Sequence, residues 1–221
     1  MTEDFRAGVG ALLRARPPKR VSLPDARDAA VLIPIVADPE PTLLFTVRSE
    51  HLPSHKGQIA FPGGSIDPQD ASPVEAALRE AEEEIGLPRQ IVAVLGELDD
   101  LPTFVSGYVV TPVVGWLSHR PELTPNPGEV TEVLWVPIAR LTEEIRAEAG
   151  FTHGGRAYPT EAWIWEDRVI WGVTARILRN FLTLLATADL VDAPAPTHAW
   201  GHPPSAAEIS TEWPLPEGKV S

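Results

Sequence analysis

The chain has 221 residues, 43% of them hydrophobic, with no cysteine and a formal net charge of −13. That length suits one domain with appendages and enough apolar content for a core, while the missing cysteines exclude disulfides and thiolate metal sites. The acidity argues against nucleic acid or an anionic membrane as the main partner. No apolar run approaches the roughly 20 residues that span a bilayer, and the acidic start MTEDFRAG is unlike a secretory signal, so a cytoplasmic location is expected.

Phe5, Val9, Leu12 and Leu13 recur at helical spacing and predict a short amphipathic helix over Asp4–Ala15. Residues 14–24, RARPPKRVSLP, read as a basic, proline-bearing linker. It is either a solvated connector or a phosphate-contacting arm, because Arg14, Arg16, Lys19 and Arg20 form the one basic cluster of an acidic chain. The main domain is expected over residues 25–192. Strands are predicted at Ala29–Ala37 and Thr42–Arg48, joined by the turn Asp38-Pro39-Glu40-Pro41. Gln58–Phe61 reads as a short strand feeding the pair Gly63-Gly64. Ile91–Leu98, Gly107–Leu117 and Val130–Val136 read as strands, and Pro137–Ala149 as a helix. Glu161–Trp165 and Val169–Trp171 flank a turn at Glu166-Asp167, and Thr174–Leu185 forms the last long helix. From Ala193 to Ser221 six prolines argue against a folded core. In that tail Trp200, Ile209 and Trp213 are candidates to dock on the domain or on a second subunit, which leaves a homodimer open. Strands interleaved with a few helices imply an α/β fold with a mixed sheet between helical layers.

The most informative stretch is Gly63–Leu87, GGSIDPQDASPVEAALREAEEEIGL. Ser72 is a strong N-cap, Pro73 suits the first helical position, Glu75 completes a capping box, and Gly86 is placed to end the helix in a left-handed turn. Val74, Leu78, Ala81 and Ile85 fall on one stripe, the expected core face. Glu80, Glu83 and Glu84 share an arc of about 100° on the other side. Ala76 falls in that arc, where a small residue leaves room for a ligand. The arc breaks local rules. Glu80 and Glu84 repel at a spacing of four, and Glu82, Glu83 and Glu84 crowd the end of the helix where the dipole disfavours negative charge. A solvated acidic face is the plain alternative, but a divalent cation would reverse both penalties. Arg79, four residues after Glu75 and four before Glu83, is placed to brace the cluster.

These residues resemble the signature box of the Nudix hydrolases: a glycine, a loop with an acid, then R-E-x-x-E-E-x-G and an apolar residue. Gly64, Arg79, Glu80, Glu83, Glu84, Gly86 and Leu87 match. The loop is one residue longer than the commonest spacing, its acid is read as Asp70, and Ala81 stands where a larger apolar residue is usual. Residues 44–64, LFTVRSEHLPSHKGQIAFPGG, are similar to the additional signature of the coenzyme A pyrophosphatase branch through Arg48, Ser49, Gly57 and Phe61–Gly64. Pro53 stands where that signature has Arg. Ile170–Leu178 also looks like the closing helix of that branch.

The resemblance implies the Nudix α/β/α sandwich and Mg²⁺- or Mn²⁺-dependent cleavage of a diphosphate, that of coenzyme A or an acyl-CoA. It implies Glu83 and Glu84 as chief metal ligands, Glu80 and the Gly63 carbonyl as assisting ones, and Arg79 as the residue that orients them. Hard carboxylate oxygens suit those cations. For the general base, Glu129 is the first candidate and Glu132 the second. Arg48, His55, Lys56 and Gly64 are the candidate substrate contacts. ADP-ribose or a dinucleotide is the alternative substrate class, and a non-catalytic ligand sensor is the alternative from another class. Six histidines without paired helical spacing, among them His51 and His153, argue against zinc. Trp163, Trp165 and Trp171 read as core, and Phe104 and Tyr108 as candidate walls for a base or a pantetheine chain.

Overall fold

The structure is a computed structural model that describes residues 2–37, 39–51, 57–103, 107–141, 146–153, 156–166 and 168–192. For Thr2, 146–153, 156–161 and Ile164 it describes the backbone alone. The calls on Asp38, Pro53, His55, Lys56, Phe104 and the tail from Ala193 lie outside these residues, as does the side chain of His153.

Helix α1 (Thr2–Ala15) precedes strands β1 (Arg27–Ala37), β2 (Pro41–Arg48), β3 (Ile59–Ala60) and β4 (Gly63–Ser65). Helix α2 (Pro73–Ile85) follows, then β5 (Ala93–Glu97), β6 (Leu101–Pro102), β7 (Tyr108–Leu117) and β8 (Val130–Pro137). The chain closes with β9 (Arg146–His153), β10 (Arg156–Trp165), β11 (Arg168–Trp171) and α3 (Gly172–Ala186).

Among the described residues β1 to β8 form one eight-stranded sheet whose main path runs β3-β2-β1-β7-β5. It is mixed: β1 runs parallel to β7, with Arg27 opposite Tyr108 and Val36 opposite Leu117, and antiparallel to β2 and β4. These inner strands are apolar on both faces because both are covered. On one face Ala76, Ala77, Ala81 and Ile85 of α2 pack with Ala30, Leu32, Leu44 and Val113. On the other, Phe5, Val9 and Leu13 of α1 join Phe181, Leu182 and Leu185 of α3 over Ile33, Ile35, Phe45 and Val114. Trp163 is buried in that second core, as its reading required. The result is an α/β/α sandwich.

Two elements depart from expectation. The helix predicted at Pro137–Ala149 is instead a single 3-10 turn at Ile138–Arg140 followed by β9, which pairs antiparallel with β10 from Arg146↔Trp163 to His153↔Arg156. Helix-forming residues there yield to strand pairing, a long-range contact that local propensity does not register. β10 accordingly starts at Arg156, ahead of the predicted Glu161, and β9–β11 make a separate three-stranded sheet. The basic linker is also engaged. Arg16 bonds Asp99, Arg20 bonds Asp100 at 3.0 Å and Glu97 at 2.7 Å, and the backbone N–H groups of Lys19 and Val21 donate to Asp99 and Asp100. With Arg16 and Arg20 paired with these acids, the linker fastens α1 to the sheet, so the phosphate-arm reading loses two of its four cations. Among the described residues no helix is long and apolar enough to cross a membrane.

Candidate active site

Helix α2 is fixed at both ends by its sequence. Ser72 Oγ accepts the Glu75 N–H at 3.2 Å. Glu75 reaches one residue further back than the predicted box and accepts the Ala71 N–H at 2.9 Å. At the other end Gly86 adopts φ 67°, and Leu87 N–H reaches the Ala81 carbonyl while Gly86 N–H reaches that of Glu82. This is the six-to-one closure that favours glycine. The loop before β8 satisfies two more helix carbonyls: Thr124 N–H donates to Ile85 and Asn126 N–H to Glu84. Arg89 pairs with Glu82 at 2.7 Å, which offsets one of the carboxylates the dipole disfavours.

The arc opposite the core stripe is partly covered, which corrects the reading of Ala76. Ala76 is fully buried in the α2 core and leaves no ligand space; its small size lets the helix approach the sheet. Glu84 is also buried, at 5% exposure. Its Oε2 accepts the Gly63 N–H at 3.2 Å, and its Oε1 lies 3.8 Å from Arg48 Nη1. The Glu80 carboxylate lies directly over Gly64, where a Cβ would meet it at 2.5 Å. Gly63 is more confined, since a Cβ there would stand 2.3 Å from the Ala30 carbonyl oxygen. The paired glycines are therefore set by close approach on both sides. Because Leu32 and Asp28 exchange bonds with Pro62 and Ile66, alternation along this antiparallel pair turns the N–H and carbonyl of Gly63 away from β1 and toward α2.

Arg79 is the hub. Its Nε and Nη2 each donate to Asp70 at 3.0 Å, Nη1 donates to Glu80 and Glu83 at 3.0 Å, and Nη2 reaches the Ser65 carbonyl at 3.1 Å. Of the two glutamates predicted to meet it, Glu83 does and Glu75 caps the helix instead. Burial raises the pKa of Glu80, with Arg79 opposing. Burial also pushes Glu84 up to about 7, opposed by Arg48 and the Gly63 N–H and reinforced by the charges of Glu80 and Glu129. That last influence places Glu129 within electrostatic reach of both glutamates. Its backbone is held as well: Ser49 N–H donates to the Glu129 carbonyl at 2.8 Å. Glu132, the second candidate base, is bound to Arg168 at 2.7 Å.

The structure thus brings Arg48, Gly63, Gly64, Arg79, Glu80, Glu83, Glu84 and Glu129 to one end of α2. Sequence reasoning gave Arg48 to the substrate; its nearest charge here is Glu84. It missed the Ser65 carbonyl and the Ser49–Glu129 link, because backbone groups leave no trace in residue type.

The comparisons with known proteins agree with this geometry. The sequence matches the NUDIX domain family over residues 26–154, and the chain belongs to that family. It is 45% identical over 165 residues to a protein of Photorhabdus laumondii named as an uncharacterized Nudix hydrolase, NudL, covering 74% of this chain and 87% of that one. The NudL of Yersinia enterocolitica is likewise 45% identical, over 71% of this chain and 80% of its own length. A crystal structure of a MutT/nudix family protein from Enterococcus faecalis shares the fold at a TM-score of 0.50 and 13% identity, covering 82% of this chain and 69% of that one.

Nudix hydrolases generally use divalent cations, typically Mg²⁺, and the donor set here fits one. Glu80, Glu83, Glu84 and the outward Gly63 carbonyl are hard oxygens. Carboxylates crowded and buried against their own charge are the state a cation relieves. Among the described residues no three acidic or histidine side chains already converge on one point. The side chain of Glu83, 57% exposed, is drawn outward to Arg79.

Proposed function

We propose that this protein is a Mg²⁺- or Mn²⁺-dependent pyrophosphohydrolase that cleaves the diphosphate of coenzyme A or an acyl-CoA, giving 3′,5′-ADP and 4′-phosphopantetheine or its acyl form. The catalytic unit is the domain over residues 25–192. The observation that carries the reading is the joining of two motifs. The strand end bearing Arg48 and Ser49 touches Glu84 and the Glu129 backbone, while Gly63 of the FPGG turn is bonded to Glu84.

Glu83 and Glu84 act as the principal ligands, with Glu80 and the Gly63 carbonyl assisting. A bound cation would neutralise charge developing on the phosphoryl oxygens and favour the ionised nucleophile. Arg79 keeps Glu80 and Glu83 aimed. Glu129 takes the proton of a water whose oxygen attacks phosphorus. The bond from that phosphorus to the bridging oxygen breaks, and the bridging oxygen departs with the other phosphate. Arg48, Gly64, His55 and Lys56 are assigned to the substrate phosphates. Pro53, standing where the signature has Arg, favours a second reading in which ADP-ribose or a dinucleotide is the substrate.

Product analysis by chromatography and mass spectrometry tests this. The protein would be incubated separately with coenzyme A, ADP-ribose and a diadenosine polyphosphate, with Mg²⁺ or Mn²⁺ and a Glu83→Gln control. Metal-dependent release of 3′,5′-ADP from coenzyme A, lost in the control, supports the proposal. Cleavage of only another substrate refutes the coenzyme A assignment. Cleavage of none, with ligand binding retained in the control, points to a sensor.

A further inference from the structure

Arg27 opens β1 and Tyr108 opens β7, and the two are register partners in the parallel ladder. The guanidinium carbon lies over the tyrosine ring, 4.2 Å from its centroid. Ser65, opposite Ala29 across the β1–β4 pair, brings its Oγ to 3.4 Å from Tyr108 Oη. An open groove of about 460 Å³ runs beside them, lined by Arg27, Ser65, Asp67 and Pro68 among others.

Three features of this groove bear on what it can hold. First, it adjoins the glycine turn. Alternation along β1 sets Arg27 with Ala29 and Val31 on the face under α1 and α3, and Asp28 with Ala30 on the α2 face. Gly63, whose N–H meets Glu84, lies two residues before Ser65 on β4, roughly 7 Å along the strand. The 5′- and 3′-phosphates of one ribose are separated by a similar distance. Second, the groove wall and the metal helix are tied, since Arg79 donates to the Ser65 carbonyl at 3.1 Å. Third, Arg27 has its charge to spare. Arg16 and Arg20 are taken by Asp99, Asp100 and Glu97; among the described residues Arg27 stacks on Tyr108 and makes no ion pair. Two acids line the groove, Asp28 and Asp67; Asp67 lies 3.8 Å from Arg79. An uncompensated guanidinium on a chain of net charge −13 is a focus for anions. Stacking fixes its plane, and its planar fork suits a phosphate.

We propose that Arg27, braced on Tyr108 and flanked by Ser65, is a specificity subsite for a phosphate monoester on the nucleotide half of the substrate, the 3′-phosphate when that substrate is coenzyme A. This rests on the reading under Proposed function.

Calorimetry with the full chain and Mg²⁺ tests it, titrating adenosine 3′,5′-bisphosphate and adenosine 5′-monophosphate into wild type, Arg27→Gln and Arg27→Lys. The wild type should prefer the bisphosphate by about tenfold or more, the scale of a charged hydrogen bond. Arg27→Gln should lose that preference with its monophosphate affinity unchanged, and Arg27→Lys should keep part of it. A wild type without preference, or an Arg27→Gln variant that retains it, overturns the subsite. A preference that tracks Arg27 in a protein that leaves coenzyme A intact upholds the subsite and refutes the substrate reading. Cleavage of coenzyme A without any preference does the reverse.

Discussion

Asp70 grips Arg79 with both carboxylate oxygens, each 3.0 Å from a guanidinium nitrogen. That pair fixes the one cation on which Glu80 and Glu83 both rest. The same hydrogen bonds from Arg79 hold Asp70 below the usual carboxylate range. Replacing Asp70 with Asn keeps the shape and removes the charge. Asp70→Asn should cost about 2 kcal/mol of stability, the range for a charged hydrogen bond, and should slow turnover further by freeing Arg79. A group with a depressed folded-state pKa stabilises above its unfolded value and loses this as pH falls. The stability gap between wild type and variant should therefore close below about pH 4. Thermal melts from pH 3 to 7 check this; a gap that stays constant contradicts it.

Glu84 behaves in the opposite sense. Its folded-state pKa, pushed up to about 7 from an ordinary 4.5, means that the metal-free fold favours the neutral carboxyl. That stabilisation is complete below about pH 4.5 and lost as pH rises through about 7. The difference is on the order of 3 kcal/mol. With a chelator present, Glu84→Gln should melt higher than wild type at pH 8, and the two should converge toward pH 5. Mg²⁺ should raise the melting temperature of the wild type at pH 8 and narrow the gap. A variant less stable than wild type at pH 8 without metal would contradict the assignment.

The two adjacent glycines should fail differently. At Gly63 an added Cβ meets backbone, 2.3 Å from the Ala30 oxygen, so Gly63→Ala should destabilise the fold itself. At Gly64 it meets only the end of the flexible Glu80 side chain, at 2.5 Å. Gly64→Ala should therefore fold with a melting point near wild type yet lose metal-dependent activity as Glu80 is displaced. Equal stability losses in both variants would refute the distinction.

Much of this site was legible from residue type. The caps of α2 depend on Ser72 and Gly86, whose local chemistry admits few alternatives. Arg79, Glu80, Glu83 and Glu84 lie within two turns of one helix, so spacing alone brought them together. What stayed hidden depended on distant partners. Ala76 looked like an open position because periodicity gives a direction but not what stands there, and the apolar core under α2 stands there. The segment after Pro137 looked helical because its pairing with β10 is set by tertiary structure. The linker arginines looked available because Glu97, Asp99 and Asp100 lie some 80 positions away in sequence.

Glu129 and Glu132 lie three positions apart and differ in their surroundings. Glu129 adds to the charge felt by Glu80 and Glu84, whereas Glu132 is paired with Arg168. Glu129→Gln should lower kcat by about 100-fold or more, the scale of general base catalysis. Glu132→Gln should change it little. Comparable small losses in both would remove Glu129 from its role.

The central claim is that Glu80, Glu83 and Glu84 form a divalent-cation site. Titration of Mn²⁺ into the protein without substrate, followed by electron paramagnetic resonance, tests it directly and independently of turnover. The wild type should bind Mn²⁺, Glu83→Gln should weaken binding, and a Glu80→Gln/Glu84→Gln double variant with a normal melting curve should abolish it. Mn²⁺ bound as tightly by that double variant as by the wild type would contradict the account.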